Sequence, residues 1–325
     1  MNDENLERRT PKFLGVVQGA SGMYDRDVMD RREFVGSVAA LLACGGCHNL
    51  RHSVYKGGSS ARFELGMAGF TYKLQTREQM LTAMRKMGVH NLCVKNFHLD
   101  YGSTDAEIAA FVRQCGDFGV RPYGLGPIGT QDVKGDYRPA FELAKKLGAN
   151  VIVADPWEKA DGAKASSRRL CEQASALCDE YDIRFAIHNH GPEHPKCFPT
   201  GEFACEFVKD LSPRMGMCLD IGHDLRGGND PAETIRKYHR RLFDFHLKDI
   251  TLVPGQMKAP AQILGRGILD LPGIVSALCE VGYAGVCSIE YETNFTDNFG
   301  DLCESVGYFK ALVRAMNSEE RKIRQ

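Results

Sequence analysis

The chain has 325 residues, 43% of them hydrophobic and 26% charged, and its 41 lysines and arginines nearly balance 42 aspartates and glutamates. This composition is typical of a folded globular protein and excludes a disordered or collagen-like chain. The net charge of −1 and the lack of a basic stripe argue against a nucleic-acid partner, because binding to DNA or RNA depends on neutralising phosphates.

Residues 1–60 are expected to form a disordered or signal-like extension ahead of the folded domain. Within it, residues 29–47 combine Arg31-Arg32 with a short apolar segment and Cys44, and they resemble a twin-arginine export signal. The apolar segment has about ten residues, too few for a membrane span, which needs about 20. Such a signal predicts a periplasmic or lipid-anchored protein. The alternative is an amphipathic N-terminal helix on a cytoplasmic protein.

From Phe63 onward, short apolar runs alternate with longer segments of helical periodicity, which predicts repeated βα units and a parallel sheet. Eight units without a large insertion favour a single α/β domain, a (β/α)₈ TIM barrel over 61–318, followed by a C-terminal tail over 319–325. No GxGxxG motif follows the first strand, which argues against a dinucleotide-binding fold. The predicted strands are Glu64–Phe70, Asn91–Phe97, Arg121–Leu125, Asn150–Ala154, Arg184–His188, Met215–Asp220, Leu242–His246 and Gly285–Glu290.

Residues at the ends of the helical segments support this division of the chain. Thr76, followed three residues later by Gln79, and Asp270 stand where a side-chain oxygen can accept from the first turn of a helix. Gly88 and Gly148 each follow a helical segment and precede a strand, the left-handed position that favours glycine. These positions predict where the helices begin and end.

Ionisable residues stand at the C-terminal ends of the predicted strands, which form the mouth of a TIM barrel and carry its active site. The last four strands are neighbours, so we expect His188, Asp220, His246 and Glu290 to converge. Two imidazoles and two carboxylates suit Mn²⁺, Co²⁺, Fe²⁺ or Zn²⁺ better than Mg²⁺ or Ca²⁺. The sequence therefore predicts one divalent metal ion. His190 lies on the same face of its strand as His188 and is the alternative ligand there.

The motifs of the last three strands resemble those of the xylose isomerase-like TIM barrel superfamily, often called sugar phosphate isomerases/epimerases. The resemblance implies a metal ligand set of Asp220, His246 and Glu290, with His223 and Lys248 near the substrate. The family usually has Glu on the fifth strand, where this chain has His188. In the epimerases that Glu is one of two bases, so its replacement disfavours a two-base epimerase. The similar segments are Met217–His223, Phe245–Asp249, Gly265–Asp270 and Tyr283–Glu292, and the likeness covers residues 63–317.

Other polar residues at the strand ends are candidates for proton transfer and substrate binding. Glu292 shares a face with Glu290 and is expected above it, as a substrate contact rather than a ligand. The candidates for proton transfer are Glu290, Glu292, His190, Lys95 and Lys248, and those for substrate binding are His223, Lys248, Asn189 and His98.

The predicted activity is that of a metal-dependent isomerase or epimerase that removes a proton next to the carbonyl of a keto-sugar or cyclitol. Because one base also suffices for elimination, the alternative is a lyase or dehydratase acting on a 3-keto-glycoside or keto-cyclitol. A non-catalytic sugar-binding barrel and an endonuclease IV-like nuclease are further alternatives. The expected partner is a small sugar-like substrate, with no nucleic acid and no membrane span, and a homo-oligomer is left open.

Overall fold

A computed structural model of the chain describes residues 61–157, 163–191, 198–252 and 259–323. The predicted N-terminal extension, with its resemblance to an export signal, lies outside the described residues. None of the helices in the described ranges is both long enough and apolar enough to cross a membrane.

Eight parallel strands close into a barrel, which confirms the predicted TIM barrel. Around the barrel the strands follow the order β1-β2-β3-β4-β5-β6-β7-β10, and β10 pairs with β1 to complete the circle. Two short antiparallel strands, β8 and β9, form a separate ribbon after β7. The strands are β1 (Glu64–Ala68), β2 (Asn91–Val94), β3 (Arg121–Gly129), β4 (Val151–Asp155), β5 (Arg184–His188), β6 (Met215–Asp220), β7 (Leu242–Leu247), β8 (Asp249–Ile250), β9 (Ala261–Gln262) and β10 (Val286–Ile289).

Helices alternate with the barrel strands along the chain, as the sequence pattern predicts. The last helix continues to Ile323, so the first residues assigned to the C-terminal tail are helical. The helices are α1 (Arg77–Met87), α2 (Asp105–Asp117), α3 (Arg138–Leu147), α4 (Ala163–Tyr181), α5 (Gly201–Phe207), α6 (Ile221–Arg226), α7 (Pro231–Tyr238), α8 (Leu271–Glu280) and α9 (Phe299–Ile323), and short 3₁₀-helices cover Gly69–Tyr72, Thr130–Val133 and His239–Arg241.

The predicted helix ends are confirmed by their hydrogen bonds. The Thr76 hydroxyl accepts from the backbone N–H of Gln79 at 3.2 Å, and the Gln79 side chain accepts from the N–H of Thr76 at 2.8 Å. This reciprocal pair satisfies two N–H groups that have no partner inside the helix. Asp270 caps α8 by accepting from Gly273 at 3.1 Å. Gly88 ends α1 with a φ of 61°, a conformation that costs glycine little.

The strand ends differ from the prediction on one side of the barrel. The first strand stops at Ala68, because the chain turns into a 3₁₀-helix that Thr71 ties to the end of the neighbouring strand β10. The Thr71 hydroxyl donates to the carbonyl of Ile289 at 3.2 Å and accepts from the N–H of Tyr291 at 3.0 Å. The third strand continues to Gly129, since its pairing with β4 shifts register after Leu125 and then resumes.

The core has an outer layer and an inner one. The larger apolar cluster fills the space between the strands and the helices. A smaller cluster gathers residues from six different strands and therefore lies inside the barrel, with Cys93, Tyr123 and Cys218 among its members. Side chains alternate along a strand, so the inward residue two positions after Cys218 is Asp220. The inner cluster is thus the floor beneath the strand ends.

Candidate metal centre

The four predicted metal ligands meet at the C-terminal end of the barrel. His188 and Asp220 are the last residues of β5 and β6, and Asp220 pairs in register with His246 on β7. Glu290 follows β10 directly, and its backbone N–H donates to the carbonyl of Leu247 at 3.1 Å. All four side chains are buried. The closed sheet therefore holds them on four adjacent strands, as the sequence predicts.

Their spacing fits a single ion. The Nε2 atom of His188 lies 3.0 Å from Nδ1 of His246 and 3.6 Å from Oδ2 of Asp220. Oε2 of Glu290 lies 3.7 Å from Nε2 of His188 and 3.2 Å from Nδ1 of His246. Ligands that bind Zn²⁺ tetrahedrally at about 2.1 Å are separated from each other by about 3.4 Å. The four atoms, all within 4.8 Å of one another, match that arrangement.

The electrostatics of the cluster also favour a cation. Oδ2 of Asp220 and Oε2 of Glu290 are buried and have no well-formed hydrogen bond to any residue that the structure describes. The Lys248 ammonium lies 3.0 and 2.9 Å from them, and 3.3 Å from Glu292. The Lys248 ammonium and the ring of His188, whose pKa Asp220 and Glu290 raise to about 9 against the effect of burial, are two cations beside three carboxylates, and buried charge is costly unless it is compensated. A divalent ion held by these residues would supply that compensation.

The protonation states follow from this crowding. Burial alone would lower the pKa of Lys248, but the carboxylates of Asp220 and Glu290 raise it well above its ordinary value. Burial would raise the pKa of Asp220, and attraction to His223 and Lys248 holds it below its usual range instead. The pKa of Glu290 is likewise lowered, against the effect of burial, by Lys248 and His246. The carboxylates of Asp220 and Glu290 are therefore ionised at neutral pH.

Asp220 is held by both its backbone and its side chain. The side-chain amide of Asn189 donates to the Asp220 carbonyl at 3.0 Å, and its oxygen accepts from the Asp220 N–H at 2.8 Å. Oδ1 of Asp220 accepts from the N–H of His223 at 2.9 Å and so caps α6, which leaves Oδ2 for the ion. Asn189, expected at the substrate, thus positions a ligand and does not line the cavity.

A cavity of about 210 Å³ opens beside the four ligands. Drug-sized ligands usually occupy about 300–1,000 Å³, so this cavity suits a single small ring. Of the predicted site residues, Lys95, His188, His190, His223, Glu290 and Glu292 line it.

Three predicted substrate contacts, His98, Asn189 and Lys248, do not line this cavity, and His98 also lies apart from the four predicted ligands. Its ring is only 1% exposed, packs edge-on against Phe97 with the ring centroids 4.7 Å apart, and is not part of the cavity lining. The physical reason is the path of the chain after β2, which turns the side chain into the protein. The expected substrate contact by His98 is therefore not supported by the structure.

The other predicted contacts surround the cavity from different sides. Nε2 of His223 lies 3.1 Å from the Lys248 ammonium, and Nδ1 of His190 lies 3.7 Å from a carboxylate oxygen of Asp155. Lys95 contacts the carbonyl of Pro127 and lies 3.8 Å from Asp132. Burial lowers the pKa of Lys95 from its ordinary value.

The sequence interpretation missed two acidic residues at this end of the barrel. Asp155 lines the cavity and ends β4, one residue beyond the predicted end of that strand. Asp244 is fully buried and lies two residues before His246 on the same face of β7. The sequence analysis singled out Asp220 because it is an ionisable residue at the end of a predicted strand. A search that also included acidic residues one position after or two positions before a predicted strand end would have found Asp155 and Asp244.

Comparison with known proteins finds inosose isomerases and an inosose dehydratase among the similar sequences. An inosose isomerase from Bacillus subtilis (strain 168) is 26% identical over 189 residues, 53% of this chain and 67% of that protein. An inosose dehydratase from Geobacillus kaustophilus (strain HTA426) is 26% identical over 138 residues, 37% of this chain and 42% of that protein. The crystal structure of the IOLI protein with a binding zinc atom superposes with a TM-score of 0.62 at 20% identity, covering 79% of this chain and 99% of that one. The model of the family described as xylose isomerase-like TIM barrel matches residues 63–312, and the chain therefore belongs to that family.

Proposed function

We propose that this chain is a divalent-metal-dependent isomerase that moves a proton next to the carbonyl of a keto-sugar or keto-cyclitol. The observation that carries the proposal is the convergence of His188, Asp220, His246 and Glu290 beside a small cavity lined by further acid–base groups. The similarity to an inosose isomerase, whose name describes a keto-cyclitol substrate, supports the substrate class. The zinc atom named for the IOLI structure supports the kind of ion.

The four ligands would hold the ion, and its chemistry would be to polarise the substrate oxygen and so acidify the neighbouring C–H bond. Glu292 is the base in this proposal. Its carboxylate lines the cavity, is 37% exposed and lies 3.3 Å from the Lys248 ammonium, which holds it at the cavity wall. It takes the proton from the hydroxyl-bearing carbon beside the carbonyl, so that the C–H electron pair forms a carbon–carbon double bond and the carbonyl pair moves onto the carbonyl oxygen. The proton then returns to the former carbonyl carbon, while the hydroxyl proton moves to the former carbonyl oxygen.

The opposite wall of the cavity carries a second acid–base pair. His190 and Asp155 come from β5 and β4, three and four strands away from β10 around the barrel. They reach the substrate from a different side than Glu292. His190 is therefore the group that exchanges a proton with a substrate hydroxyl, and Asp155 orients its ring.

The same pair favours dehydration as a second candidate function. After Glu292 removes the C–H proton, its carboxyl group would pass that proton to a hydroxyl on the next carbon, and the hydroxyl would leave as water while the C–H electron pair forms the double bond. The ring of His190, whose pKa burial holds well below its usual value, would hold the departing hydroxyl by a hydrogen bond. The similarity to an inosose dehydratase supports this alternative. Isomerisation and dehydration need the same proton abstraction and differ in the second step.

Proton exchange in D₂O tests both candidates. The purified chain, loaded with Mn²⁺ or Zn²⁺, is incubated with a panel of keto-inositols and ketoses, and the substrate proton beside the carbonyl is followed by NMR. We expect its signal to decay with the ion and to persist with a chelator. New vinyl protons would identify dehydration, and a rearranged carbonyl would identify isomerisation.

A pair of variants assigns the base. Glu292→Gln should slow the exchange by about 10²–10⁴-fold, the usual contribution of a general base. The matched control is Glu304→Gln. Glu304 is a surface carboxylate on α9 that pairs with Arg266 at 2.6 Å. Exchange at the wild-type rate in Glu292→Gln would show that another residue is the base. No exchange on any substrate with a saturating ion would contradict the proposed function.

A further inference from the structure

A row of buried polar side chains lies inside the barrel beneath the four predicted ligands. Asp244 precedes His246 by two residues on β7, so both side chains point inward with Asp244 one layer deeper. Tyr123 on β3 and Ser288 on β10 reach the same layer, and Asp244 is completely buried. A carboxylate at this depth is costly unless its oxygens are engaged, so its contacts indicate what it does.

One oxygen of Asp244 is anchored from across the barrel. The Tyr123 hydroxyl donates to Oδ1 at 2.9 Å and lies 2.7 Å from the hydroxyl of Ser288. A tyrosine hydroxyl has a single proton, so it donates to Asp244 and accepts from Ser288. This arrangement joins three strands and fixes the plane of the carboxylate.

The other oxygen of Asp244, Oδ2, faces the predicted metal ligand His246. Oδ2 of Asp244 lies 3.7 Å from Nε2 of His246 and accepts a weak hydrogen bond from Cys218 at 3.6 Å. Nε2 of His246 has no hydrogen-bond partner among the residues that the structure describes, while Nδ1 of the same ring faces the other ligands. A rotation that shortens the separation by roughly 0.8 Å would give an ordinary hydrogen bond of about 2.9 Å.

We propose that Asp244 is a positioning residue for the metal centre: it accepts the Nε2–H of His246 and holds the ring with Nδ1 directed at the ion. A histidine that binds an ion through one nitrogen carries its proton on the other, and a carboxylate partner there fixes the tautomer and the ring orientation. Tyr123 acts through Asp244 by fixing the carboxylate. The inference rests on the metal centre of the proposed function and names no substrate.

The test compares two buried carboxylates. Asp244→Asn removes the charge beneath His246. Asp224→Asn removes a buried carboxylate from α6, where the Asp224 oxygens accept from Gly201 at 2.9 Å and Thr234 at 2.7 Å and, among the described residues, make no hydrogen bond to a predicted ligand. The affinity of each purified protein for Zn²⁺ and Mn²⁺ is measured, without substrate, by competition with a chromogenic chelator.

We expect Asp244→Asn to weaken metal binding by about 10–100-fold, the usual effect of losing the outer partner of a ligand. Tyr123→Phe should weaken it less, and Asp224→Asn should leave it unchanged. ¹H NMR of the Zn²⁺-loaded protein provides a second measurement, since a hydrogen bond to Asp244 should shift the Nε2–H resonance of His246 downfield in the wild type and less so in Asp244→Asn.

Each contrary outcome has a distinct meaning. Wild-type affinity in Asp244→Asn, or an equal loss in Asp224→Asn, would overturn the role of Asp244. An Nε2–H resonance of His246 at the same position in the zinc-loaded wild type and in Asp244→Asn would overturn it as well. A wild type that binds the ion but exchanges no substrate proton would contradict the proposed function and leave the assignment of Asp244 intact. A wild type that binds neither ion would overturn both.

Discussion

His98 is a buried histidine outside the metal centre, and its burial has a consequence for stability. Desolvation lowers its pKa to about 4, compared with an ordinary value of 6.5. The folded protein therefore keeps this ring neutral at a pH at which the unfolded chain protonates it. The unfolded state binds more protons between these two values, so the free energy of unfolding falls as the pH falls through that window.

We predict that this residue makes the protein sensitive to mild acid. Between pH 7 and pH 5 the wild type should lose about 2 kcal/mol of stability on account of His98 alone. Urea unfolding at the two pH values measures the loss, and His98→Gln should remove that part of it. The control is His239→Gln, which changes an exposed histidine. Equal pH dependence in the wild type and in His98→Gln would contradict the prediction.

The fate of individual residues shows what a sequence pattern can and cannot predict. The convergence of His188, Asp220, His246 and Glu290 could be predicted because parallel strands end at the same edge and side chains alternate along them. The place of His98 could not, because it lies beyond the end of β2, where no period governs the direction of a side chain.

At the scale of elements, one aspartate organises the loop that leads from β9 to α8. Asp249 is buried, and its Oδ2 accepts from the backbone N–H groups of Gly265 and Gly267 at 2.9 and 3.0 Å. Its Oδ1 accepts from Ile250 at 3.0 Å and from Leu269 at 3.3 Å. A side chain at position 267 would collide with this carboxylate, which explains the glycine there.

Asp249→Asn should loosen this loop. An amide has one accepting oxygen in place of two, so two of the backbone N–H groups lose their partner at a cost of about 2–3 kcal/mol. Urea unfolding would measure the cost, and limited proteolysis should cut the loop faster. The matched control is Asp270→Asn, since asparagine caps a helix as well as aspartate does. Ordinary surface substitutions change the free energy of unfolding by no more than about 0.5 kcal/mol, so a loss of that size or less in Asp249→Asn would contradict the prediction.

The element boundaries were the less predictable part of the fold. Apolar runs and glycine stops locate the eight βα units, because both reflect local chemistry. The early end of β1 depends on the hydrogen bonds of Thr71 to Ile289 and Tyr291, residues more than two hundred positions away. Such long-range contacts leave no local pattern in the sequence.

At the scale of the whole molecule, the predicted ion would link four neighbouring strands of the eight-stranded barrel. Its ligands come from β5, β6, β7 and β10, four of the eight strands. An ion that binds only the folded state stabilises it by mass action. Because the ligands come from distant parts of the chain, that stabilisation applies to the barrel as a unit.

We predict that the ion raises the free energy of unfolding by about 2.7 kcal/mol at a free concentration one hundred times its Kd. For a domain of this size that is roughly 5–10 °C in Tm, which thermal unfolding with and without a chelator would measure. In Asp220→Asn, which keeps the helix cap but loses the ligand charge, the chelator should have no effect. An unchanged Tm in the wild type would contradict the prediction.

The two oxygens of Asp220 are committed to different partners, one to the first turn of α6 and the other to the metal centre. A carboxylate can attach to an ion through one oxygen or both, and a swing between these modes changes the coordination number. Asp220 cannot make that swing without uncapping its helix. Of the four predicted ligands, only Glu290 would then be left to change its denticity toward a bound ion, and such a change would take place on the β10 side of the barrel.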